Sequence, residues 1–267
     1  GHSQEIIPGL SIGVSGHALY SHFEQAGGGW YEDVYYDSSK LHPVTYREDL
    51  TGWTYGATVG VLYRASENVS VGATMRTPMT VTYEGDIKIN STFETYDGTP
   101  RSESFDFTNP MWVGGGLAYR NFLFANMTLT ADVQWTQWAA MEEIERDVSG
   151  DLPDLEDTTC ELMEDLNWED TMSFALGIDY RISRQMSIAL GYRNEPSPMP
   201  DDDFDFTMTQ VGQNVVGMAV GYRQDLWELN AGFTYYMSEK RESASGAMYG
   251  KHVLDALVPS VSFTYSF

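Results

Sequence analysis

The most constraining feature of this sequence is a strict two-residue alternation through residues 172–195, interrupted by one short turn. In both halves every second residue is apolar, and the residues between are small, polar or charged. The apolar positions are Met172, Phe174, Leu176, Ile178 and Tyr180, then Met186, Ile188, Leu190 and Tyr192. A period of two is that of a β-strand whose two faces have different surroundings. The stretch therefore predicts an antiparallel hairpin with one apolar face.

The second face of this hairpin distinguishes a membrane barrel from a soluble sandwich. It consists mainly of Gly, Ala, Ser and charged residues, although Gly and Ala weaken strands and cover little surface. The apolar face of each strand ends in a tyrosine, Tyr180 and Tyr192. Barrels in lipid have an outward apolar band, aromatic residues at its margins and a polar interior. The hairpin therefore favours a transmembrane barrel.

Composition excludes several other classes of protein. The 267 residues include 39 acidic and 15 basic side chains, and this excess of negative charge argues against nucleic acid as a partner. The apolar runs are far shorter than the roughly 18 residues of a membrane helix. Cys160 is the single cysteine, so an internal disulfide is excluded. The length suits one large β domain, residues 1–267.

The alternation recurs along the chain and predicts ten antiparallel strands. They cover about 9–22, 52–64, 69–93, 103–120, 127–135, 172–181, 186–195, 206–223, 226–237 and 257–267. Short connections alternate with longer ones, and the two longest are 23–51 and 139–168. Outer-membrane barrels have short periplasmic turns and long extracellular loops. We therefore expect an integral barrel of the bacterial outer membrane, with both termini periplasmic and a short helix near the end of 139–168.

Four stretches, found in family order, resemble the FadL-type transporters of long-chain fatty acids and aromatic hydrocarbons. These are GWTYGATVGVLY with VSVGATMRTPMTVTYEGDIKI, then LTADVQWTQWAAMEEI, NWEDTMSFALGIDYR and GYRNEPSPMPDDD. The ending in Phe267 resembles the terminal signature of outer-membrane barrels. The resemblance runs from about Gly52 to Phe267.

This resemblance implies a fourteen-stranded barrel with an N-terminal hatch that carries an Asn-Pro-Ala motif. Nothing in the sequence matches the hatch or the first strands, so the chain would correspond to the last ten strands. A smaller barrel closed by ten strands is the second interpretation. The resemblance also implies a lateral exit for the ligand, although in a strand that this chain lacks.

Candidate ligand-binding residues lie in the two longest connections and in the lumen. Apolar side chains among the charges of 23–51 and 139–168 are enough for an apolar catch site at the outer rim, but packing between loops explains them equally well. The candidates are Trp30, Tyr31, Tyr35, Leu162, Met163 and Leu166, with Trp112 in the lumen. Pro78 cannot donate to a ladder, so it predicts a bulge or unpaired position and is the candidate lateral exit.

Four Tyr-Arg pairs end descending strands at the predicted periplasmic side. Their arginines are Arg64, Arg120, Arg181 and Arg223. The simpler explanation is a tyrosine at headgroup level followed by a turn residue. The alternative is an inward ring of lumen cations that attracts a carboxylate.

The acidic segment 142–170 supplies oxygen ligands in excess but lacks the spacing and central glycine of a calcium loop. We expect a solvated loop, bridged through divalent cations to lipopolysaccharide, and neither a metal site nor a cofactor in the protein. Ser15 and His17 share a lumen face without an orienting partner or an oxyanion site. We therefore expect no enzyme.

The sequence predicts a channel for passive uptake of hydrophobic small molecules, either fatty acids or aromatic hydrocarbons. Its expected partners are these molecules, membrane lipid and lipopolysaccharide, with detergent in a purified sample. A structural or surface-interaction barrel and a general porin are the alternatives. The predicted lumen is mainly Gly, Ala, Ser and Thr, whereas a hydrated pore would use more charge.

Overall fold

The computed structural model describes residues 1–32, 41–91, 97–141, 143–149, 159–200, 212–243 and 250–266. These residues form antiparallel strands, apart from one turn of 3-10 helix at Trp138–Ala140. No helix among them is long and apolar enough to cross a membrane. The strands are β1 His2–Ile7, β2 Leu10–Glu32, β3 Leu41–Arg64, β4 Val69–Arg76, β5 Met79–Ser91, β6 Asp97–Asn109, β7 Trp112–Arg120, β8 Met127–Thr136, β9 Glu143–Ser149, β10 Thr159–Asp165, β11 Thr171–Arg181, β12 Met186–Glu195, β13 Gln213–Gln224, β14 Trp227–Ser238, β15 Arg241–Ser243, β16 Gly250–His252 and β17 Ala256–Tyr265.

Ten strands form one wall in which neighbours in the chain are neighbours in the sheet. Their order is β2, β3, β4, β7, β8, β11, β12, β13, β14 and β17. The all-β antiparallel fold and the ten wall strands expected from the sequence are confirmed. An additional strand, β1, pairs with the other edge of β2 through a tight turn at Pro8 and Gly9, where Gly9 has a φ of 84°. The sequence of β1 has no alternation, so it was not predicted.

The two faces of the wall are those expected from the alternation. Large apolar side chains at the outward positions of the alternation are exposed along the whole wall: Trp53, Leu117, Leu176, Leu190, Val220, Phe233 and Phe263. We call the end of the wall with the tight turns the lower end. Aromatic pairs mark both margins of the apolar band, with Tyr20 and Trp53 at the upper margin and Tyr222 and Trp227 at the lower. This arrangement is typical of a sheet surrounded by lipid.

Above the lipid-facing band, the wall continues into an upper extension. It consists of the second half of β2 and the first half of β3, followed by β5, β6, β9 and β10. The strand predicted at 69–93 is divided at Thr77 and Pro78 into β4 and β5, and the strand predicted at 103–120 is divided at Pro110 and Met111 into β6 and β7. Both prolines lie where the wall passes into the extension.

The prediction of long loops at 23–51 and 139–168 is wrong for residues 23–32, 41–51, 143–149 and 159–165, which lie in strands. β2 and β3 remain paired as far as Glu32 and Leu41, and β9 pairs with β10 within the acidic segment. The end of that segment is therefore a strand where a helix was expected. The shorter predicted loops at 94–102 and 238–253 likewise contain parts of β6, β15 and β16. Above the lipid, the membrane does not require either face of the sheet to be apolar. The strands therefore remain paired although the two-residue alternation in their sequence has faded.

Candidate functional site

A cavity of about 820 Å³ lies on the inner face of the wall between β2 and β8. About half of its lining residues are small and lie at inward positions: Ser11, Gly13, Gly60, Ser70, Gly72, Thr74, Gly114, Gly116, Ala118 and Thr130. The larger lining residues include Trp112, Asp132 and Gln134. Small side chains at inward positions leave this volume open. Trp112, a candidate from the sequence, thus lines the cavity, while its role in binding stays a prediction.

The wall beside this cavity is interrupted where β4 gives way to β5. β3 pairs with β4 over residues 58–64 and with β5 over residues 44–51. Between these ladders, residues 52–57 have no ladder partner on that side within the described part of the chain. The unpaired position expected at Pro78 is therefore confirmed. We call this interruption the wall break.

A threonine closes the lower edge of the wall break. The carbonyl oxygen of Ala57 accepts a hydrogen bond from the Thr77 amide at 3.0 Å, and the Ala57 amide donates to Thr77 Oγ1 at 3.0 Å. Pro78 follows, exposed and without an N–H. Because the hydroxyl replaces a ladder partner, both backbone groups of Ala57 are satisfied. The break is therefore a defined feature of the wall.

At the wall break, β5 crosses the inner face of β3 before it joins the ladder. A Cβ atom at Gly52 would lie 2.4 Å from the Thr82 carbonyl oxygen, and one at Gly56 would lie 2.5 Å from Met79 Cγ. At Gly52 only glycine permits this close approach of backbone to backbone, whereas the atom that faces Gly56 belongs to the Met79 side chain. The crossing buries Met79 and Val81 against β3.

Replacing Gly52 with alanine is therefore expected to destabilise the protein by about 1–3 kcal/mol, the usual cost of overpacking, because the obstructing atom belongs to the backbone. Gly60→Ala is the matched control on the same face of β3, since its Cβ would meet its nearest neighbour at 3.6 Å. Denaturant titration of the two variants in lipid vesicles measures the difference. Equal stability of the two would contradict the crossing.

An apolar cluster, which we call the inner cluster, fills the inner face of the upper extension. Its buried members are Leu50, Val81, Tyr83, Phe105, Met141, Ile144, Leu166, Trp168 and Met199. The rings of Tyr83 and Phe105 are 5.1 Å apart, and those of Trp138 and Trp168 are 5.3 Å apart. The inner cluster is thus a packed apolar core above the lipid-facing band.

A charged group lies within the inner cluster. Arg146 Nη1 on β9 is 3.1 Å from Glu48 Oε2 on β3 and 3.2 Å from Glu103 Oε1 on β6, and its guanidinium lies over the Phe105 ring. Glu103 Oε2 is buried without a hydrogen-bond partner among the described residues. Burial raises the pKa of Glu103, the charge of Glu48 raises it further, and Arg146 opposes both. One cation thus joins three strands of the extension.

The structure brings only some of the predicted catch-site residues to one place. Leu166 is buried in the inner cluster. Trp30 and Tyr31 lie on β2, Leu162 and Met163 lie on β10, and Tyr35 lies outside the described residues. The catch site therefore stays a prediction. The inner cluster itself was missed, because most of its members come from segments that the sequence predicts as separate strands or loops.

The arginines of the Tyr-Arg pairs end their strands beside the tight turns of the lower end. They are Arg64, Arg120, Arg181 and Arg223. Arg120 Nη1 approaches Ser70 Oγ at 3.5 Å, and Arg223 forms an ion pair with Glu228. An ion pair adds no net positive charge to a ring. The function of the four arginines as lumen cations stays a prediction.

Residues 40–267 match the family model described as "Outer membrane protein transport protein (OMPP1/FadL/TodX)". The chain belongs to this family. The resemblance found in its motifs is thereby confirmed, and an outer-membrane barrel is the architecture shared by the family. No curated protein sequence matches the chain.

Solved structures of this family share the fold. A FadL homologue from Pseudomonas aeruginosa has a TM-score of 0.80 and 13% identity over 99% of this chain and 66% of that one. The toluene transporter TodX of P. putida has a TM-score of 0.70 and 15% identity over 99% and 67%. For the monoaromatic hydrocarbon channel CymD the values are 0.68 and 14% over 99% and 71%. The chain thus spans about two thirds of the length of these structures.

Proposed function

We propose that this protein is an outer-membrane channel for the passive uptake of hydrophobic small molecules, either long-chain fatty acids or aromatic hydrocarbons. The observation that carries the proposal is the wall break at Pro78, which lies beside the inner cavity. The toluene transporter and the monoaromatic hydrocarbon channel of similar fold support a hydrophobic cargo.

The physical problem for such a cargo is the polar surface of the outer membrane. A hydrophobic molecule gains free energy on leaving water for any apolar surface, so the polar, cation-bridged lipopolysaccharide layer is its barrier. A protein that offers an apolar route past this layer needs no energy source. The partly buried side chains of Phe23, Phe107 and Trp138, which pack against the inner cluster, offer an apolar surface at the start of the route.

The proposed route has three stages. The ligand first contacts the catch site and the inner cluster, next enters the cavity, and then leaves sideways through the wall break toward lipid. Trp53 and Tyr55 border the break on the outer face, and both are exposed there. They offer an apolar surface where the ligand would meet lipid.

The orientation in the membrane follows from the same proposal. The tight turns of the lower end face the periplasm together with the end of β17, and the extension faces the outside. Strand β1 instead rises from the turn at Pro8 and Gly9 until His2 pairs with Val14 within the wall, so the periplasmic position expected for both termini is proposed for the C-terminal end alone. Glu24, Asp49 and Arg47 are exposed on the outward face of the extension. Acidic side chains at that level suit bridging through divalent cations to lipopolysaccharide phosphates.

Flux into liposomes tests the proposal against its alternatives. Passage of a fatty acid or toluene, but not of a sugar, is the expected result. Passage of sugar would replace the proposal with a general porin. A protein that folds in the liposomes and passes none of these compounds would instead be a structural or surface-interaction barrel.

Replacing Pro78 with valine is expected to slow uptake of the hydrophobic ligand several-fold. Valine supplies the N–H that proline lacks and favours strand structure, so it should extend pairing across the break. Initial uptake rates in cells measure the effect. Pro259→Val is the matched control, because Pro259 lies in the ladder between β14 and β17, away from the break. Unchanged uptake by a folded Pro78→Val variant would remove Pro78 from the mechanism.

A further inference from the structure

A carboxylate projects into the cavity on the inner face of the wall. Among the described residues that line this cavity, Asp132 on β8 is the only one with a charged side chain. It lies in one row of the ladder with Gly116, Gly72 and Leu62, on β7, β4 and β3. A Cβ atom at Gly116 would collide with Asp132 Oδ1, so the carboxylate extends over this glycine. An apolar side chain and a carboxylate thus border the two glycines from opposite sides.

No hydrogen-bond donor of the described residues pairs with Asp132. Its partners in the ladder are a glycine and an alanine, which have no polar side chain. The two inward neighbours on the same strand direct their donors elsewhere. Thr130 Oγ1 donates to the Gly177 carbonyl oxygen at 3.4 Å, and Gln134 Nε2 donates to Thr136 Oγ1 at 3.2 Å. A carboxylate offers about four acceptor sites, so those of Asp132 are available to a molecule in the cavity.

The inward arginines of nearby strands do not neutralise this carboxylate. Each of them contacts a different group: Arg76 lies over the Trp112 ring, Arg120 approaches Ser70 Oγ at 3.5 Å, and Arg193 pairs with Glu195. Within the described part of the chain, no ion pair includes Asp132. The negative charge in the cavity therefore has no cation of the protein as its direct partner.

We propose that Asp132 binds the protonated amine of a hydrophobic molecule whose apolar part lies over the glycines of the cavity. An ammonium group donates charge-assisted hydrogen bonds to a carboxylate, so it matches the available acceptors. Leu62 and Trp112 line the same cavity and offer contact to the apolar part. The inference deepens the proposed function and rests on it: within the class of hydrophobic cargo, the cavity favours amines and disfavours carboxylates, whose charge Asp132 repels.

Three ligands with a common apolar part isolate the effect of charge. At neutral pH phenylbutylamine is a cation, phenylbutanol is neutral and phenylbutyrate is an anion. Calorimetric titration of the protein in lipid discs, with empty discs as the blank, should show the tightest binding for the amine and the weakest for the acid. Asp132→Asn keeps the shape of the side chain and should weaken binding of the amine roughly 2- to 5-fold, as expected for a charge pair that water can reach. Binding of the alcohol should change by less, and Asp132→Glu should retain the order of the three ligands.

Asp106→Asn provides the matched control, because it removes the same charge from the outward face of β6. Asp106 is exposed there, next to the inward Phe105 of the inner cluster. This variant should bind all three ligands as the unmutated protein does. An equal loss for amine and alcohol in Asp132→Asn would show a merely structural role and overturn the inference, as would an unchanged preference for the amine.

Flux into liposomes separates a failure of this inference from a failure of the proposed function. If the unmutated protein does not pass phenylbutanol, or passes sugar as well, the channel for hydrophobic molecules itself fails. If it passes phenylbutanol and excludes sugar but binds the amine no more tightly than the alcohol, the role of Asp132 alone is overturned.

Discussion

Replacing Arg146 with methionine is expected to destabilise the upper extension by about 3–5 kcal/mol, the cost of removing one partner from a buried ion pair. The arginine is the shared partner of Glu48 and Glu103, and both carboxylates are almost entirely shielded from water. Without the cation, two negative charges would remain close together within the inner cluster. Methionine has a similar length and packs well in apolar surroundings, so lost volume is a minor part of the effect.

The control for this substitution is an exposed pair of the same chemistry. Arg223 pairs with Glu228 at the lower end, and its side chain is 67% exposed. Arg223→Met should therefore cost only about 0–1 kcal/mol. Denaturant titration in lipid vesicles gives the stabilities, and limited proteolysis reports opening of the extension. Similar costs for the two substitutions would contradict a buried charge in the inner cluster.

The pH dependence of the Arg146→Met variant provides a second measurement. The pKa of Glu103 is already raised by burial, and loss of Arg146 removes the group that opposes this shift. A carboxyl whose pKa is raised in the folded state contributes stability at low pH and loses it as the pH rises through that pKa. Lowering the pH from neutral should therefore restore stability to the variant. Recovery on acidification would not occur if only packing had been lost.

Residues in contact with lipid could be predicted from the sequence, whereas residues above it could not. Leu176 and Leu190 belong to strands whose outer face must be apolar, so the alternation is strong and the face is unambiguous. Phe23 and Leu50 are ladder partners in the upper extension, but the next inward positions are Gln25, Gly27 and Glu48, so the same backbone pairing leaves little pattern in the sequence. The loops predicted there were wrong for this reason.

The features of the candidate site also differ in whether they depend on one residue alone or on residues far apart in the chain. Pro78 was predictable, because the missing N–H is a property of the residue itself. Arg146 was not, since its partner Glu48 is 98 residues away in the chain. The need for glycine at Gly52 likewise depends on a strand crossing that the sheet brings about. A single sequence carries no local signal for either.

Replacing Leu190 with arginine should lower the free energy of unfolding by about 2–4 kcal/mol, the range for a cation on the lipid face near the middle of a barrel wall. Leu190 lies at the middle of β12, between Ile178 of β11 and Met218 of β13 in the ladder, and it is 49% exposed. In water, this row would expose three large apolar side chains to solvent. Against lipid, an apolar row is the expected surface, and an arginine placed there is unfavourable because its charge loses its hydration.

Two companion substitutions separate the effect of lipid from that of strand damage. Gly191→Arg places the same charge on the inner face, where a Cβ would meet only the Leu176 carbonyl oxygen at 3.9 Å, so it should cost less than Leu190→Arg. Met186→Arg lies on the lipid face of β12 at its lower end, where the cost should fall to about 0–1 kcal/mol because the side chain reaches the headgroups. Denaturant titration in phospholipid vesicles measures all three. A cost that differs between Leu190 and Gly191 but not between Leu190 and Met186 would mean that Leu190 packs against protein, since only a lipid surface makes the penalty depend on depth.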